Sequence, residues 1–135
     1  MKRRWLLVLP LAALAVFPQE PLDEIDPPEE DESLRPKEYS FNPLQADKEL
    51  KVGAFHMKRG NFRGAAARFE EATKWNPGLA DAWRRLGEAQ EKLNDRPAAI
   101  AAYKKFLEAA PDGKPANDVK KRLAALNAVA KRSAK

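Results

Sequence analysis

Set against itself at an offset of 34 residues, the chain repeats its own punctuation. Gly53 falls on Gly87, Ala65 on Ala99, Phe69 on Tyr103, Pro77 on Pro111 and Val52 on Leu86. The turn residues Gly60-Asn61 fall on Asn94-Asp95. A period of this length marks a stacked array, in which one supersecondary unit cannot bury its apolar face alone and does so against the next. Each matched position has a physical job. The small residues let two helix backbones approach closely, and the aromatic fills the space between the paired helices. The proline stops the second helix of each unit, because it has no amide hydrogen to donate.

The pattern predicts an all-α chain in which each unit is helix, short turn, helix. Asn42 suits an N-cap, Pro43 suits the first helical position, and Gln45 stands where it completes a capping box. The first helix is therefore expected from Pro43 to about Arg59, stopping at Gly60-Asn61. The second runs from about Arg63 to Trp75, with Ala65, Ala66, Phe69 and Ala72 on one face. The third, from about Leu79 to Leu93, carries Trp83, Leu86 and Gln90. The fourth opens at Pro97, carries Ala99, Tyr103, Phe106 and Leu107, and ends before Pro111. Repeat one then occupies about 46–79 and repeat two about 80–113, and the stretch FEEATKWNPGLADAWRRLG (69–87) is their junction. A fifth helix, about 115–131, has an apolar stripe of Val119, Leu123, Leu126 and Ala130, while residues 120–122 and 131–135 stay in water. Two units are fewer than the three or so that such stacks usually need. The fifth helix supplies one more surface, and residues 39–44 are expected to cover the other end as a hydrophobic staple.

The residues Trp83-x-x-Leu86-Gly87, Ala99-x-x-x-Tyr103 and Pro111, at this period, resemble the tetratricopeptide repeat. The first unit matches at Val52-Gly53, Ala65-x-x-x-Phe69 and Pro77. It departs at Glu49, where the motif prefers Trp, and His56 and Gln90 both stand where it prefers Tyr. The resemblance covers roughly residues 44–112, and the fifth helix is similar to the capping helix that ends many such arrays. It implies an α-solenoid of two repeat units plus a cap, forming one domain over residues 41–131.

Two segments precede that domain. MKRRWLLVLPLAALAVF opens on three basic residues, continues as an apolar run from Trp5 to Phe17, and offers Ala13-Leu14-Ala15 as a small-residue cleavage site. This is the layout of a secretory signal peptide, expected over residues 1–15 with cleavage after Ala15. The run is shorter than the roughly 20 residues that span a hydrocarbon core, and Pro10 interrupts it. Residues 16–40 form an acidic, proline-rich spacer in which Leu22, Ile25 and Leu34 keep no period, so disorder is expected there. Residues 20–40 carry nine acids against two bases, a net −7, while residues 41–135 carry 20 bases against 11 acids, a net +9. The spacer is read as a tether, or alternatively as a screen over the basic domain. Its carboxylates lack the glycine turn and ligand spacing of a calcium loop. The expected location is outside the cytoplasm, in the periplasm of a bacterial envelope or beyond the cell.

Enzyme chemistry finds little to work with. There is no Cys, His56 is the only His, and Ser33, Ser40 and Ser133 lie in the spacer or at the terminus. No Ser-His-Asp or Cys-His set can be assembled, so no catalytic residues are assigned. Gly60, Gly64 and Gly113 match no phosphate loop, and no His or Cys cluster offers a metal site, so neither cofactor nor metal is expected. The basic residues are spread over several helices rather than gathered into a nucleic-acid face, and export removes the usual nucleic acids. Contact with an anionic membrane or wall polymer is expected only through an uncleaved leader or the basic residues Lys120, Lys121, Arg122, Lys131, Arg132 and Lys135.

The resemblance implies a protein-interaction scaffold whose first helices line a concave groove. It places Asp47, Leu50, Ala54, Met57 and Lys58 in that groove, with Asp81, Arg84, Glu88, Glu91 and Lys92 from the second unit. The spacing does put each set on one helix face. One subclass grips a C-terminal carboxylate with Lys and Asn on the first helix. Here Leu50 and Ala54 hold those places, so that clamp is absent. The expected function is a non-enzymatic envelope adaptor binding a peptide or protein segment. The alternatives are a basic module on an anionic surface and a self-associating subunit of an envelope complex.

Overall fold

The computed structural model describes residues 35–135, and among these every regular element is an α-helix. In chain order they are α1 (Pro43–Lys58), α2 (Phe62–Trp75), α3 (Ala80–Lys92), α4 (Arg96–Ala109) and α5 (Lys114–Ser133). The expected signal peptide and most of the acidic spacer lie outside the described residues. By backbone contacts the chain divides into two units, Met1–Lys37 and Glu38–Lys135. Of the first, residues 35–37 are described and are exposed. The second holds all five helices, packed in series: α1 on α2, α2 on α3, α3 on α4, and α4 on α5.

The two helical repeats turn back on themselves with the same local chemistry. After α1, Gly60 takes a φ of +73° and Asn61 returns its amide to the His56 carbonyl at 3.0 Å. After α3, Asn94 takes a φ of +57° and Asp95 returns its amide to the Gln90 carbonyl at 2.9 Å. This left-handed turn is open to Gly and tolerated by Asn, which is why those two types meet at the offset. The next residue caps the following helix: Asn61 Oδ1 accepts from the Gly64 amide at 3.0 Å, and Asp95 Oδ1 from the Ala98 amide at 3.3 Å.

Two glycine–aromatic contacts set the spacing within the units. A Cβ on Gly53 would lie 2.5 Å from Phe69 Cε1, and a Cβ on Gly87 would lie 2.5 Å from Tyr103 Cε1. Both rings are fully buried. Around them, Ala65, Phe69, Leu86, Ala89 and Ala102 form one core cluster. Ala99, Tyr103, Phe106, Ala116 and Val119 form the other, with Leu123 and Leu126 of α5 packed against it. Trp83 touches both clusters, and its indole Nε1 donates to the Pro77 carbonyl at 2.8 Å. The junction thus ties the end of one unit to the first helix of the next.

The N-terminal edge differs from expectation. Asn42 does cap α1, accepting from the Gln45 amide at 3.0 Å. The reciprocal half of the capping box is missing, because the Asn42 amide donates instead to the Trp75 carbonyl at 2.9 Å and Gln45 Nε2 turns to Glu49 at 2.9 Å. Nor do residues 39–44 act together as a staple. Tyr39 packs edge-on against Trp75, with ring centroids 4.9 Å apart, but Phe41 is 72 % exposed and Leu44 76 % exposed. Tyr39 finds its partners at the far end of α2, and among the described residues the outer side of α1 stays uncovered.

Candidate functional site

The first helices of the two units, together with α5, share one side of the stack. On α3 the spacing Asp81, Arg84, Arg85, Glu88 places opposite charges one turn apart. Arg84 donates to Asp81 and, at 2.8 Å, to Glu88 Oε1, while Arg85 Nε donates to Asp81 Oδ2 at 2.8 Å. Burial by itself raises the Asp81 carboxyl, but the hydrogen bonds from Arg85 and Arg84 outweigh it and hold the group below its ordinary value. The same pairing raises Arg84 against the opposing effect of its own burial. The α3 side chains facing this side are therefore half-buried and ordered by one another.

Two depressions open between the helices. One, of about 440 Å³, is lined by Met57 of α1, by Glu88, Glu91 and Lys92 of α3, and by Arg122 of α5. The other, of about 400 Å³, lies between α3 and α5 and is lined by Arg84, Glu88, Lys114, Pro115, Asp118, Val119 and Arg122. Glu88 and Arg122 belong to both. Arg122 is positioned by a three-residue network: Tyr103 donates its hydroxyl to Glu91, and Arg122 reaches Glu91 Oε1 at 3.4 Å and the Tyr103 hydroxyl at 3.3 Å. That network joins α3, α4 and α5 at the floor of the groove.

Of the ten residues assigned to the groove from sequence, the structure brings Met57, Arg84, Glu88, Glu91 and Lys92 around these depressions. Asp47 and Lys58 are exposed and Ala54 half-buried, and none of the three lines either depression. Asp81 acts through Arg84 and Arg85 rather than at the surface of a depression. Leu50 is packed against the core cluster of Phe69 and Leu86, as is part of Met57, so Leu50 holds α1 in place. The contributions of α5 were not assigned from sequence. A signal for them existed: one further step of 34 residues carries Arg84 to Asp118 and Glu88 to Arg122.

A larger cavity, about 530 Å³, lies on the opposite side, among α2, α3 and α4. Its walls include Trp83, Leu86, Ala98, Ala101 and Ala102, and Gln90 Oε1 is buried there with no hydrogen-bond partner among the described residues. The short side chains of Ala98, Ala101 and Ala102 on α4 leave the space beside Gln90 open.

Both tyrosines of the chain resist ionisation. The hydrogen bond to Glu71, more than burial, pushes Tyr39 up to about 12, and burial followed by the bond to Glu91 pushes Tyr103 up as well. A phenol whose folded pKa lies above its unfolded value stabilises the fold below about pH 10 and loses that contribution as the pH rises through the folded pKa. At pH 10.5 the urea-unfolded chain should show about three quarters of its full tyrosinate absorbance. The folded chain should show almost none, and equal absorbance in the two states would remove both hydrogen bonds from this description.

Comparison with known proteins adds three findings. The tetratricopeptide repeat family model matches residues 56–114. The chain is 34 % identical over 65 residues to the chloroplastic tetratricopeptide repeat domain-containing protein PYG7 of Arabidopsis thaliana, covering 48 % of this chain and 22 % of that protein. It is 49 % identical over 47 residues to the peroxisomal targeting signal receptor of Pichia angusta, covering 35 % of this chain and 8 % of that receptor. The chain thus spans less than a quarter of the length of either relative.

Proposed function

We propose that this chain, whose residues 56–114 match the tetratricopeptide repeat model, is a non-enzymatic scaffold that captures a peptide or protein segment on its first-helix side. The carrying observation is the convergence of three helices on two adjoining depressions, with Met57 and Pro115 as apolar contacts between charged walls. Lys92 and Lys114 make no ion pair among the described residues, whereas Arg84 is already held by two carboxylates. The free cations favour a segment with one apolar anchor and a carboxylate near it. One relative is named as a targeting signal receptor, which supports a binding role for this chain. The basic start and apolar run of residues 1–17 support export, and with it an adaptor role in a bacterial envelope.

The test is selection from a random peptide library on the full chain, followed by affinity measurement on the double variant Lys92→Glu with Lys114→Glu. Selected peptides should carry carboxylates, and the variant should bind them at least about tenfold more weakly at unchanged helicity. Undiminished binding would place the ligand elsewhere. Leu50→Asp is unsuitable here, because Leu50 packs against the core cluster and its loss would confound capture with unfolding.

A second reading rests on the exposed Lys120, Lys121, Lys131, Arg132 and Lys135 of the C-terminal region. These side chains suit an anionic membrane or wall polymer. Sedimentation with anionic vesicles that survives the groove variant but not neutralisation of this tail would favour it.

A further inference from the structure

Among the described residues, no helix covers the outer side of α1. Leu44, Lys48, Lys51, Val52, Phe55 and Arg59 follow one stripe along it, by their spacing of three, four and seven residues. Val52 is 40 % exposed and Phe55 54 % exposed, and Leu44 more so. The period of the chain says what this face is shaped to meet. One step of 34 residues carries Val52 to Leu86 and Phe55 to Ala89, and those two are 4 % and 0 % exposed. They are covered by α2, clustering with its Ala65 and Phe69. The same face that α3 packs against a preceding helix is presented by α1 to solvent.

Charge then selects among helices. Lys48 stands where α3 has the fully buried Ala82, and Lys51 lies beside it on the stripe. Neither lysine makes an ion pair among the described residues. Arg59 lies over the Phe55 ring, 4.7 Å from its centroid, and adds a third cation at the end of the stripe. The flanking acid Glu49 is occupied by Gln45 and Arg68. A second copy of the chain is a poor occupant. Two-fold pairing about the middle of the stripe sets the Lys48–Lys51 pair of one copy against that of the other, which is like-charge repulsion at the centre of the contact. A basic stripe between apolar residues is complementary to an amphipathic helix with apolar residues at three- and four-residue spacing and carboxylates between them.

From these observations we infer that the outer face of α1 is a second docking surface, separate from the first-helix groove, which takes an acidic amphipathic helix as one further layer of the stack. The contact buries Val52 and Phe55 and pairs Lys48 and Lys51 with carboxylates of the incoming helix.

The probe is a synthetic amphipathic peptide of about five helical turns, with leucines along one stripe and glutamates beside them, titrated against the full chain by fluorescence anisotropy. A lysine-for-glutamate version of the peptide is the control. The acidic peptide should bind at least about tenfold more tightly than the basic one. Phe55→Ser should weaken binding about tenfold with helicity unchanged, since Phe55 is exposed, and Lys48→Glu with Lys51→Glu should reverse the preference between the peptides. Lys92→Glu with Lys114→Glu should leave this binding as it is, so that the groove reading and this one can fail separately. Equal affinity for the two peptides, insensitivity to Phe55→Ser, or loss on the groove substitutions would overturn the inference. So would sedimentation of the chain as a dimer that Phe55→Ser dissociates, because the face would then belong to a second copy.

Discussion

Replacing Gly87 with alanine is expected to destabilise the domain by about 2–3 kcal/mol, although alanine is the better helix former by about 1 kcal/mol. The reversal of sign comes from one contact. The new methyl would sit 2.5 Å from Tyr103 Cε1 and 2.7 Å from Cδ1, closer than carbon atoms can approach. The ring has no room to retreat, being fully buried with its hydroxyl held by Glu91 and Arg122. The strain must therefore push α3 away from α4, and with it Leu86 and Ala89 out of register with α2. For a domain of this size the loss corresponds to a fall in Tm of about 10–20 °C, measurable by circular dichroism. Tyr103→Leu in the same chain removes the colliding ring edge and should recover part of the loss, a favourable interaction in the double-mutant cycle. A Gly87→Ala protein as stable as the parent would mean that the helices are not held at this separation.

The second large effect concerns α5. Ending the chain at Gly113 removes Ala116, Val119, Leu123 and Leu126 from the cluster around Tyr103 and Phe106. Each large apolar side chain that loses or exposes its burial costs about 1.5–3 kcal/mol, so the sum approaches the whole stability of a small domain. The truncated chain should lose cooperative melting and exchange its α4 amides within the dead time of a manual experiment. Arg122→Ala should cost less than about 1 kcal/mol, because that side chain is half-exposed and its contacts are 3.3 and 3.4 Å long. The contrast separates the two roles of α5: apolar contacts hold it, and its arginine furnishes the groove. A cooperative transition within a few degrees of the parent would show that the two repeat units stand alone.

The helices were legible because most boundaries carry a local chemical cause. Asn42, Asn61 and Asp95 cap, Gly60 and Asn94 turn, and Pro77 and Pro111 follow the stops, so every expected helix end falls within two residues of its observed place. The pairing of Gly53 with Phe69 and of Gly87 with Tyr103 was likewise written in the period. The groove was half legible. Spacing along one helix names a face, but whether a residue on that face meets core or solvent depends on the rotation of the helix against its neighbour. Leu50 therefore went into the core, while Asp47 and Lys58 stayed outside both depressions. The role of Arg122 depends on a hydroxyl from α4 and a carboxylate from α3, and no local pattern in α5 announces such a three-way contact. The open edge of α1 was missed for a similar reason. Tyr39 and Phe41 look equally fit to cover it, and only the docking of Tyr39 on Trp75 and Glu71 leaves Phe41 in water.

The bond from Trp83 to the Pro77 carbonyl has a mechanical meaning. The connection between the units is stiffened three times: by that indole, by the Gly78 amide on Asn76 Oδ1 at 3.1 Å, and by the Leu79 amide on the Asn76 carbonyl at 3.1 Å. A joint braced in this way does not act as a hinge. Tension applied to the two ends of the helical stack would pass through this joint from one repeat to the next, with no slack link between them to take up the extension. A segment bound across the two repeats would then meet first helices whose relative placement is fixed by the junction rather than by the ligand.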